Sequence, residues 1–442
     1  MKHLFLTTGI IFISFCGFTQ STPLTLKQAV EAAIANNAIV KQSEFTKEQA
    51  AVSLNQSKGN MIPIVQGQIQ HYLNQGRSID PASNGYINSQ LTTANYNLGT
   101  SVILFNGFRL LNQLKQNQYA AEASRMDWQQ SKDKAMLDVI LAYLQVLSNT
   151  DQLALALRQA DATKQLTDRL ELMNKEGAIK PSDLYDLRAQ FSGDQLSVIT
   201  AQNALNTARV SLAQLMNTPY DPNLQVEPLG ADQFDTNYGS NPDSIFNVAM
   251  QQLAIIKAVD LRSRAFSKAL SAAKGNLVPS LGFGAGIATN YSSLATDAQN
   301  NKISYGNQFR NNYGTYLGAT VNIPILNNFR FRNAVRLAKI DLKSAEFTDK
   351  TVKIQLKQNV ERDYFSMTAA LDRYKALVDQ VAAYTESYRA AEIRFTQGVT
   401  TSVEYLFSKN NLDRAKSNLI IARYEYFLRI KILDYYQGKP LF

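Results

Sequence analysis

Two acidic residues are the side chains whose spacing most suggests a shared role. Asp183 lies six residues after Gly177, and Glu404 lies six residues after Gly398. The two acids and the two glycines are each 221 residues apart. Carboxylates repeated at one position attract cations and repel anions where they line a narrow, water-filled opening. Their chemistry is therefore electrostatic, and the elements that carry them must place several copies around one opening.

Catalytic and metal-binding patterns are weak in this sequence. Beyond the N-terminal segment the chain has one histidine, His71, and its only cysteine is Cys16. There is no His-acid cluster at metal-ligand spacing and no glycine-rich loop of the kind that holds phosphate. Instead, Gly282, Gly284 and Gly286 alternate along a predicted strand, which suits a face where bulk is unwelcome. We expect neither an enzyme nor a bound metal or cofactor.

The charge distribution argues against nucleic-acid binding. The formal net charge is +9, but the lysines and arginines are spread along predicted helices. Nucleic-acid binding favours a clustered basic patch with interleaved aromatic side chains. The observed distribution is typical of solvated helical faces, so we expect no nucleic-acid partner.

Two very long helices carry the acids to their positions. Residues 108–176 and 329–397 contain no glycine and no proline, and each stretch ends at one of the two glycines. At about 1.5 Å per residue, either helix would be about 100 Å long. In the second stretch, apolar residues step by four and three, which predicts a coiled-coil core rather than a site. This seam comprises Val360, Tyr364, Met367, Leu371, Tyr374, Val378 and Val381.

The chain is a tandem repeat. The segment 104–109 matches 325–330 at the same offset of 221, and 58–63 matches 274–279 at an offset of 216. Each half therefore predicts a helix, a strand pair, a long helix, a glycine-led tip and a returning helix. We assign residues 20–217 to the first repeat and 244–442 to the second, with tips at 177–183 and 398–404. Residues 218–243, rich in proline and glycine, form the linker.

The N-terminal segment sets the compartment. Lys2 and His3 precede an apolar run from residue 4 to residue 16, followed by small residues near Thr19. This pattern predicts a cleaved secretory signal peptide over residues 1–19. A mature chain without Cys16 can form no disulfide.

The strand pairs, 64–105 and 280–326, alternate apolar and polar residues with a period of two. Each strand has roughly the 9 to 11 residues that a tilted strand needs to cross a bilayer. Polar loops over 75–95 and 292–312, with aromatic residues near the strand ends, fit a membrane barrel. Alternation alone also fits a soluble sheet with one wet face.

Four strands are too few to close a membrane barrel, because single-chain barrels begin at about eight strands. An open edge in lipid leaves backbone groups without hydrogen bonds, at a cost of several kcal/mol each. The chain must therefore form an oligomer. Three copies give twelve strands, while two or four copies give about eight or sixteen.

These motifs resemble those of the TolC-like outer-membrane channel proteins, the outer membrane efflux protein family. The resemblance covers essentially the whole mature chain. Its most specific features are the matched strand exits and the two tips at one offset: Leu104-Phe105-Asn106-Gly107-Phe108-Arg109, Ile325-Leu326-Asn327-Asn328-Phe329-Arg330, Gly177-Ala178-Ile179-Lys180-Pro181-Ser182-Asp183 and Gly398-Val399-Thr400-Thr401-Ser402-Val403-Glu404.

The resemblance implies a mixed α and β fold. Long coiled-coil helices would form a periplasmic helical barrel, and four strands per chain would contribute to a trimeric, twelve-stranded transmembrane β-barrel. The expected location is the outer membrane of a Gram-negative bacterium, in contact with its lipid. The expected partners are two further copies of the chain, a periplasmic adaptor (membrane fusion) protein and an inner-membrane pump of RND or ABC type.

The resemblance also implies roles for the tips. Adaptor docking would use Gly177, Ala178, Ile179, Gly398, Val399 and Thr400. The periplasmic aperture would comprise Asp183, Glu404, Lys180, Phe395 and Arg394.

The sequence departs from the family pattern at the tips. Phe407 occupies the place of a second acid, while Thr400 and Phe395 replace the arginine and tyrosine of a hydrogen-bonded latch. We hypothesise that Lys180 and Arg394 pair with Asp183 instead. An alternative role for Asp183 is to cap the returning helix.

The resulting functional hypothesis is the exit duct of a tripartite efflux or type I secretion system. An alternative is a surface-anchored trimeric coiled-coil protein with a structural or adhesive role. A stalk usually has one anchor at one terminus, whereas this chain has strand pairs within both halves. The duct is therefore favoured.

Overall fold

A computed structural model describes residues 23–80, 82–88, 90–230 and 238–441. It confirms the mixed α and β fold, with long helices and a four-stranded sheet. The predicted signal peptide, 1–19, and residues 231–237 of the predicted linker lie outside the described residues.

Helices make up most of the described chain. The two longest, α3 and α8, have 67 residues each, which confirms the predicted long helices. No helix within the described ranges carries an apolar stretch long enough to cross a membrane. The helices are α1 (Leu26–Asn36), α2 (Ala38–Gly59), α3 (Arg109–Lys175), α4 (Pro181–Met216), α5 (Pro242–Gln252), α6 (Ala254–Gly275), α7 (Tyr305–Asn311), α8 (Arg330–Thr396) and α9 (Ser402–Tyr436).

The first helix of each repeat is broken, which differs from the prediction of one continuous helix. Asn37 separates α1 from α2, and Leu253 separates α5 from α6. Both residues leave the helical region, with ψ values of 128° and 132°. Asn37 also accepts a hydrogen bond from the backbone N–H of Ile39, which caps α2. The last two residues of the predicted linker, 242–243, belong to α5.

The sheet joins the two halves of the chain. Its four strands are β1 (Ile64–Asn74), β4 (Leu91–Phe105), β5 (Ser280–Ser292) and β6 (Gly314–Asn322), in the antiparallel order β1-β4-β5-β6. The last strand ends before Pro324, which has no N–H to donate, so residues 323–326 of the predicted second pair lie outside it. The two loops hold a short hairpin, β2 (Arg77–Ile79) with β3 (Tyr86–Asn88), and helix α7, none of which the sequence predicted.

The pairing register gives the sheet two different faces. On the apolar face, Leu98 pairs with Ile287 and Val102 pairs with Phe283. On the polar face, Asn97 pairs with Ala288 and Gly99 pairs with Gly286. The alternation predicted from the sequence therefore continues across neighbouring strands.

Tyr316 accounts for one of the alternating glycines. It faces Gly286 across the β5–β6 pair. A Cβ added at Gly286 would lie 2.6 Å from the Tyr316 ring, whereas one at Gly284 would meet only a backbone oxygen at 3.6 Å. The absence of a side chain at Gly286 therefore leaves the space that the Tyr316 ring occupies.

A close backbone contact joins the sheet to the helices. Gly107, between β4 and α3, has φ +63°, and a Cβ there would lie 2.6 Å from the carbonyl oxygen of Gly275. Gly275 ends α6, just before β5. The strand exit of the first half thus rests directly on the strand entry of the second half.

Candidate functional site at the helical tips

The two tips have the same backbone conformation. Gly177 and Gly398 have φ values of +71° and +72°, in the left-handed region that glycine adopts without strain. The N–H of Ala178 bonds the carbonyl of Met173, and the N–H of Val399 bonds the carbonyl of Arg394, both at 2.9 Å. This bonding pattern ends a helix at a C-terminal glycine. Each long helix therefore stops and reverses where its glycine allows it.

A groove of 440 Å³ lies between the two tips. Its lining brings together most of the residues that the sequence singled out. Arg394, Val399 and Glu404 do not line it, and 73% of the surface of Val399 is exposed. The lining includes Gly177, Ala178, Ile179, Lys180 and Asp183 from the first half and Phe395, Gly398 and Thr400 from the second.

Glu404 is held by its own half of the chain. Its carboxylate lies 2.9 Å from Nη2 of Arg394 and accepts a hydrogen bond from the hydroxyl of Thr400. The side chains of Arg394 and Glu404 are 51% and 46% exposed, so the ion pair contributes about 1 kcal/mol or less. The hypothesis that Arg394 pairs with Asp183 is wrong, because Arg394 pairs with Glu404 instead.

Asp183 is held by the other half of the chain. The hydroxyl of Ser402 lies 2.8 Å from Oδ1 of Asp183 and 2.7 Å from Oδ2 of Asp186. A hydroxyl has one proton, so it can donate to only one of these two carboxylates at a time. Lys180 is the N-cap of α4, and that helix has no side-chain cap, so the capping role considered for Asp183 is wrong.

An apolar cluster supports the tips from behind. Leu170, Leu187 and Tyr405 are buried there, and Phe395 stacks on Tyr405 at 5.0 Å. The hydroxyls of Tyr405 and Tyr388 are 3.1 Å apart. Burial raises the pKa of both tyrosines, so both phenols stay neutral at physiological pH. Phe395 thus packs in the place where the family pattern has a latch residue.

A buried charged network lies next to this cluster, further along α4 and α9 from the tips. Nζ of Lys409 on α9 lies 3.1 Å from Asp194 on α4 and 2.7 Å from Asp413. Thr163 on α3 donates to Asp194 at 2.6 Å. Burial alone lowers the pKa of Lys409, but Asp413 and Asp194 outweigh it and raise that pKa above its ordinary value. The network therefore joins three helices from both halves through one buried ammonium group.

Sequence reasoning missed Ser402, Asp186 and Lys409. Asp186 carried a usable signal, because it lies three residues after Asp183, at the spacing of the second acid that Phe407 replaces after Glu404. Ser402 carried none, since its partners lie more than 200 residues away in the sequence. For Lys409 the sequence shows Asp413 four residues later, at ordinary helical spacing, but not Asp194, which lies 215 residues away.

Comparison with known proteins places these elements in a family. The family described as outer membrane efflux protein matches residues 29–218 and 247–429. Outer membrane protein TolC of Escherichia coli K12 is 23% identical over 424 residues, which cover 95% of this chain and 83% of that protein. The protein of the same name from Vibrio cholerae is 22% identical over 297 residues, 67% of this chain and 65% of that protein.

Solved structures share the fold at low sequence identity. The outer membrane protein VceC from Vibrio cholerae has a TM-score of 0.80 at 13% identity, covering 94% of this chain and 97% of that chain. The CmeC outer membrane channel of Campylobacter jejuni has a TM-score of 0.76 at 16% identity, covering 93% and 85%. Because the matched residues include both tips and both strand pairs, this chain belongs to the outer membrane efflux protein family.

Proposed function

We propose that three copies of this chain form the outer-membrane exit duct of a tripartite efflux system. As a member of the outer membrane efflux protein family, the chain is an outer-membrane transport protein with a helical periplasmic part, and not an enzyme. Cargo would pass through a lumen lined by the polar face of the sheet, and the apolar face would contact lipid. The surface-anchored stalk is not supported.

The observation that carries this proposal is an incomplete packing arrangement in the second half. Helix α3 packs against both α2 and α6, whereas α8 packs against α6 and makes no comparable contact with α2 among the described residues. Large apolar side chains remain exposed on α2 and α8, including Phe45 at 65%, Phe347 at 72% and Phe365 at 66%. The helices α3 and α8 are equivalent in the repeat, and α2 packs against α3 within the chain. We therefore expect α2 of a neighbouring copy to pack against α8.

The sheet also lacks neighbours, because its two edge strands have no pairing partner within the chain among the described residues. Strands β1 and β6 are its edges, and both expose nearly all of their residues. Pairing β6 of one copy with β1 of the next satisfies the free backbone groups of both edges. Three copies of this four-stranded sheet give twelve strands. The mass of the detergent-extracted oligomer tests this number directly.

We further propose that the groove between the tips docks the hairpin of a periplasmic adaptor protein that connects the duct to an inner-membrane pump. Val399 would anchor this contact, because it stands exposed beside the groove. We expect Val399→Asp to weaken adaptor binding by about tenfold or more, as loss of a central apolar contact does. Crosslinking in cells, together with efflux of a dye, measures this loss.

Leu196→Asp is the matched control for Val399→Asp. Leu196 lies on α4, away from the groove, and is 63% exposed. The docking proposal fails if Val399→Asp leaves adaptor crosslinking unchanged, or if both variants reduce it equally.

Asp183 and Glu404 would form the electrostatic ring of the periplasmic aperture. We expect the purified oligomer in a planar bilayer to be cation-selective, and the double variant Asp183→Ala/Glu404→Ala to lose much of that selectivity. Glu346→Ala on α8 is the control for a carboxylate away from the tips. Selectivity that is unchanged in the double variant would remove both acids from the aperture and leave the duct proposal intact.

A further inference from the structure

Helix α7 lies on the apolar face of the sheet. The hydroxyl of Thr289 donates to the carbonyl of Phe309 at 3.1 Å, and the ring of Phe309 meets that of Tyr96 edge-on at 5.3 Å. The ring of Tyr305 packs against that of Tyr291, with centroids 4.5 Å apart and the planes tilted by 47°. Tyr96, Thr289 and Tyr291 all belong to the apolar face, because Tyr96 pairs with Thr289 and Tyr291 lies two residues further along β5. The helix therefore covers part of the surface that the proposed function places in lipid.

A groove of 580 Å³ opens beside this helix. Ile69, Leu98 and Ile287 form its floor, and Phe309 and Tyr313 form its wall. Its volume lies within the range of about 300–1,000 Å³ that is typical of small-molecule sites. These three apolar side chains lie where three neighbouring strands meet, and the hydroxyl of Thr289 beside them already donates to Phe309, so the groove suits a hydrocarbon chain.

A single cation stands at the edge of this groove. Arg310 is the only charged residue of α7, is exposed, and lines the groove. It takes part in none of the ion pairs formed within the described ranges. A guanidinium group binds phosphate through two parallel hydrogen bonds. The groove therefore combines an apolar floor with a phosphate-binding group at its rim.

We propose that this groove binds lipid A, the phosphorylated and acylated glycolipid of the outer leaflet, with an acyl chain on the floor and a phosphate at Arg310. The outer leaflet is indicated because the wall of the groove, Phe309 to Tyr313, belongs to the loop between β5 and β6, and this loop lies at the opposite end of the strands from the long helices. This inference rests on the proposed function, which places the apolar face in the outer membrane.

Native mass spectrometry of the detergent-extracted oligomer, titrated with bisphosphorylated lipid A, tests the site. We expect Arg310→Gln to weaken binding by about tenfold or more, because a hydrogen bond to a charged group is lost. Arg310→Lys should recover part of the affinity, and Lys302→Gln in the same loop should change nothing. Lipid A without its phosphates should bind the wild type as weakly as lipid A binds Arg310→Gln.

A second variant tests the floor independently of charge. A Cβ at Gly67 meets nothing closer than 4.0 Å, so Gly67→Leu should keep the sheet and fill the groove. We expect this variant to lose lipid A binding as well. The proposal is overturned if either Arg310→Gln or Gly67→Leu binds lipid A as the wild type does, or if phosphatidylglycerol binds the wild type at least as tightly.

The same variants separate this inference from the proposed function. We expect Arg310→Gln and Gly67→Leu to form oligomers that conduct ions in a planar bilayer as the wild type does. Conducting oligomers without lipid A selectivity would overturn the groove assignment alone. A wild-type oligomer that neither conducts nor enters a bilayer would overturn the duct, and the lipid site with it.

Discussion

We expect Lys409→Met to lower the free energy of unfolding by about 3–5 kcal/mol, which is the cost of removing one partner from a buried ion pair. The Lys409 side chain is only 5% exposed and is the only cation in contact with the Asp194 and Asp413 carboxylates among the ion pairs of the described residues. Without it, two carboxylates face each other in a partly dry environment. Circular dichroism of the detergent-extracted oligomer in guanidinium chloride measures the loss, at a fixed protein concentration because oligomer stability depends on concentration.

The pH dependence of this effect has a defined sign. The pKa of Lys409 is raised in the folded chain, so its stabilisation is fully present below the unfolded pKa of about 10.4. It is lost only as the pH rises through the higher folded value. The difference between wild type and Lys409→Met should therefore be constant near pH 7 and shrink only in strongly alkaline solution.

Two control variants test whether the loss comes from leaving buried charges unpaired or simply from removing an ion pair. Arg373→Met removes an ion pair between α8 and α9 that is 52% and 36% exposed, and should cost less than about 1 kcal/mol. Replacing Lys409, Asp194 and Asp413 together with apolar residues should recover much of the stability, since no charge remains buried. Thr163 keeps a partner in that variant, because its hydroxyl can donate to the carbonyl of Gln159, 3.0 Å away, instead of to Asp194. A Lys409→Met loss no larger than that of Arg373→Met would contradict the prediction.

The sequence predicted those features that local physics determines. The long helices follow from the absence of glycine and proline over 108–176 and 329–397, and the reversals follow from Gly177 and Gly398, which have positive φ. The strands follow from period-two alternation, which the register extends across the sheet.

Features that depend on distant partners were not predictable in this way. Lys409 looks like any other helical lysine until α4 brings Asp194 against it, and Ser402 gains its role only when the two tips meet. The coiled-coil seam shows a subtler failure, because Val378 is 43% exposed and the neighbouring Leu377 is buried. A straight helix has 3.6 residues per turn and drifts by about 20° per heptad from a strict seven-residue pattern, so a seam assigned from one heptad phase is lost after several turns.

The second large effect is expected at the junction between sheet and helices. We expect Gly107→Ala to lower the free energy of unfolding by about 4 kcal/mol or more. Most single substitutions cost less, and a loss of this size indicates a specific cause, which here is a steric clash. The added Cβ would lie 2.6 Å from the carbonyl oxygen of Gly275 and 3.0 Å from Cβ of Val278. Left-handed backbone at φ +63° adds about 1–2 kcal/mol for a residue with a side chain. The yield of folded oligomer and its unfolding midpoint in denaturant both report this loss.

The repeat supplies the control that separates backbone conformation from close contact. Asn328 stands at the position equivalent to Gly107 and has φ +51°, so positive φ alone does not require glycine there. Asparagine tolerates the left-handed region, yet Gly107→Asn still places a Cβ against Gly275. We therefore expect Gly107→Asn to be nearly as harmful as Gly107→Ala, while Gly193→Ala within α4, with open space around it, should be neutral or stabilising by about 1 kcal/mol. A stable Gly107→Asn variant would mean that conformation, and not the contact between the two halves, explains the glycine.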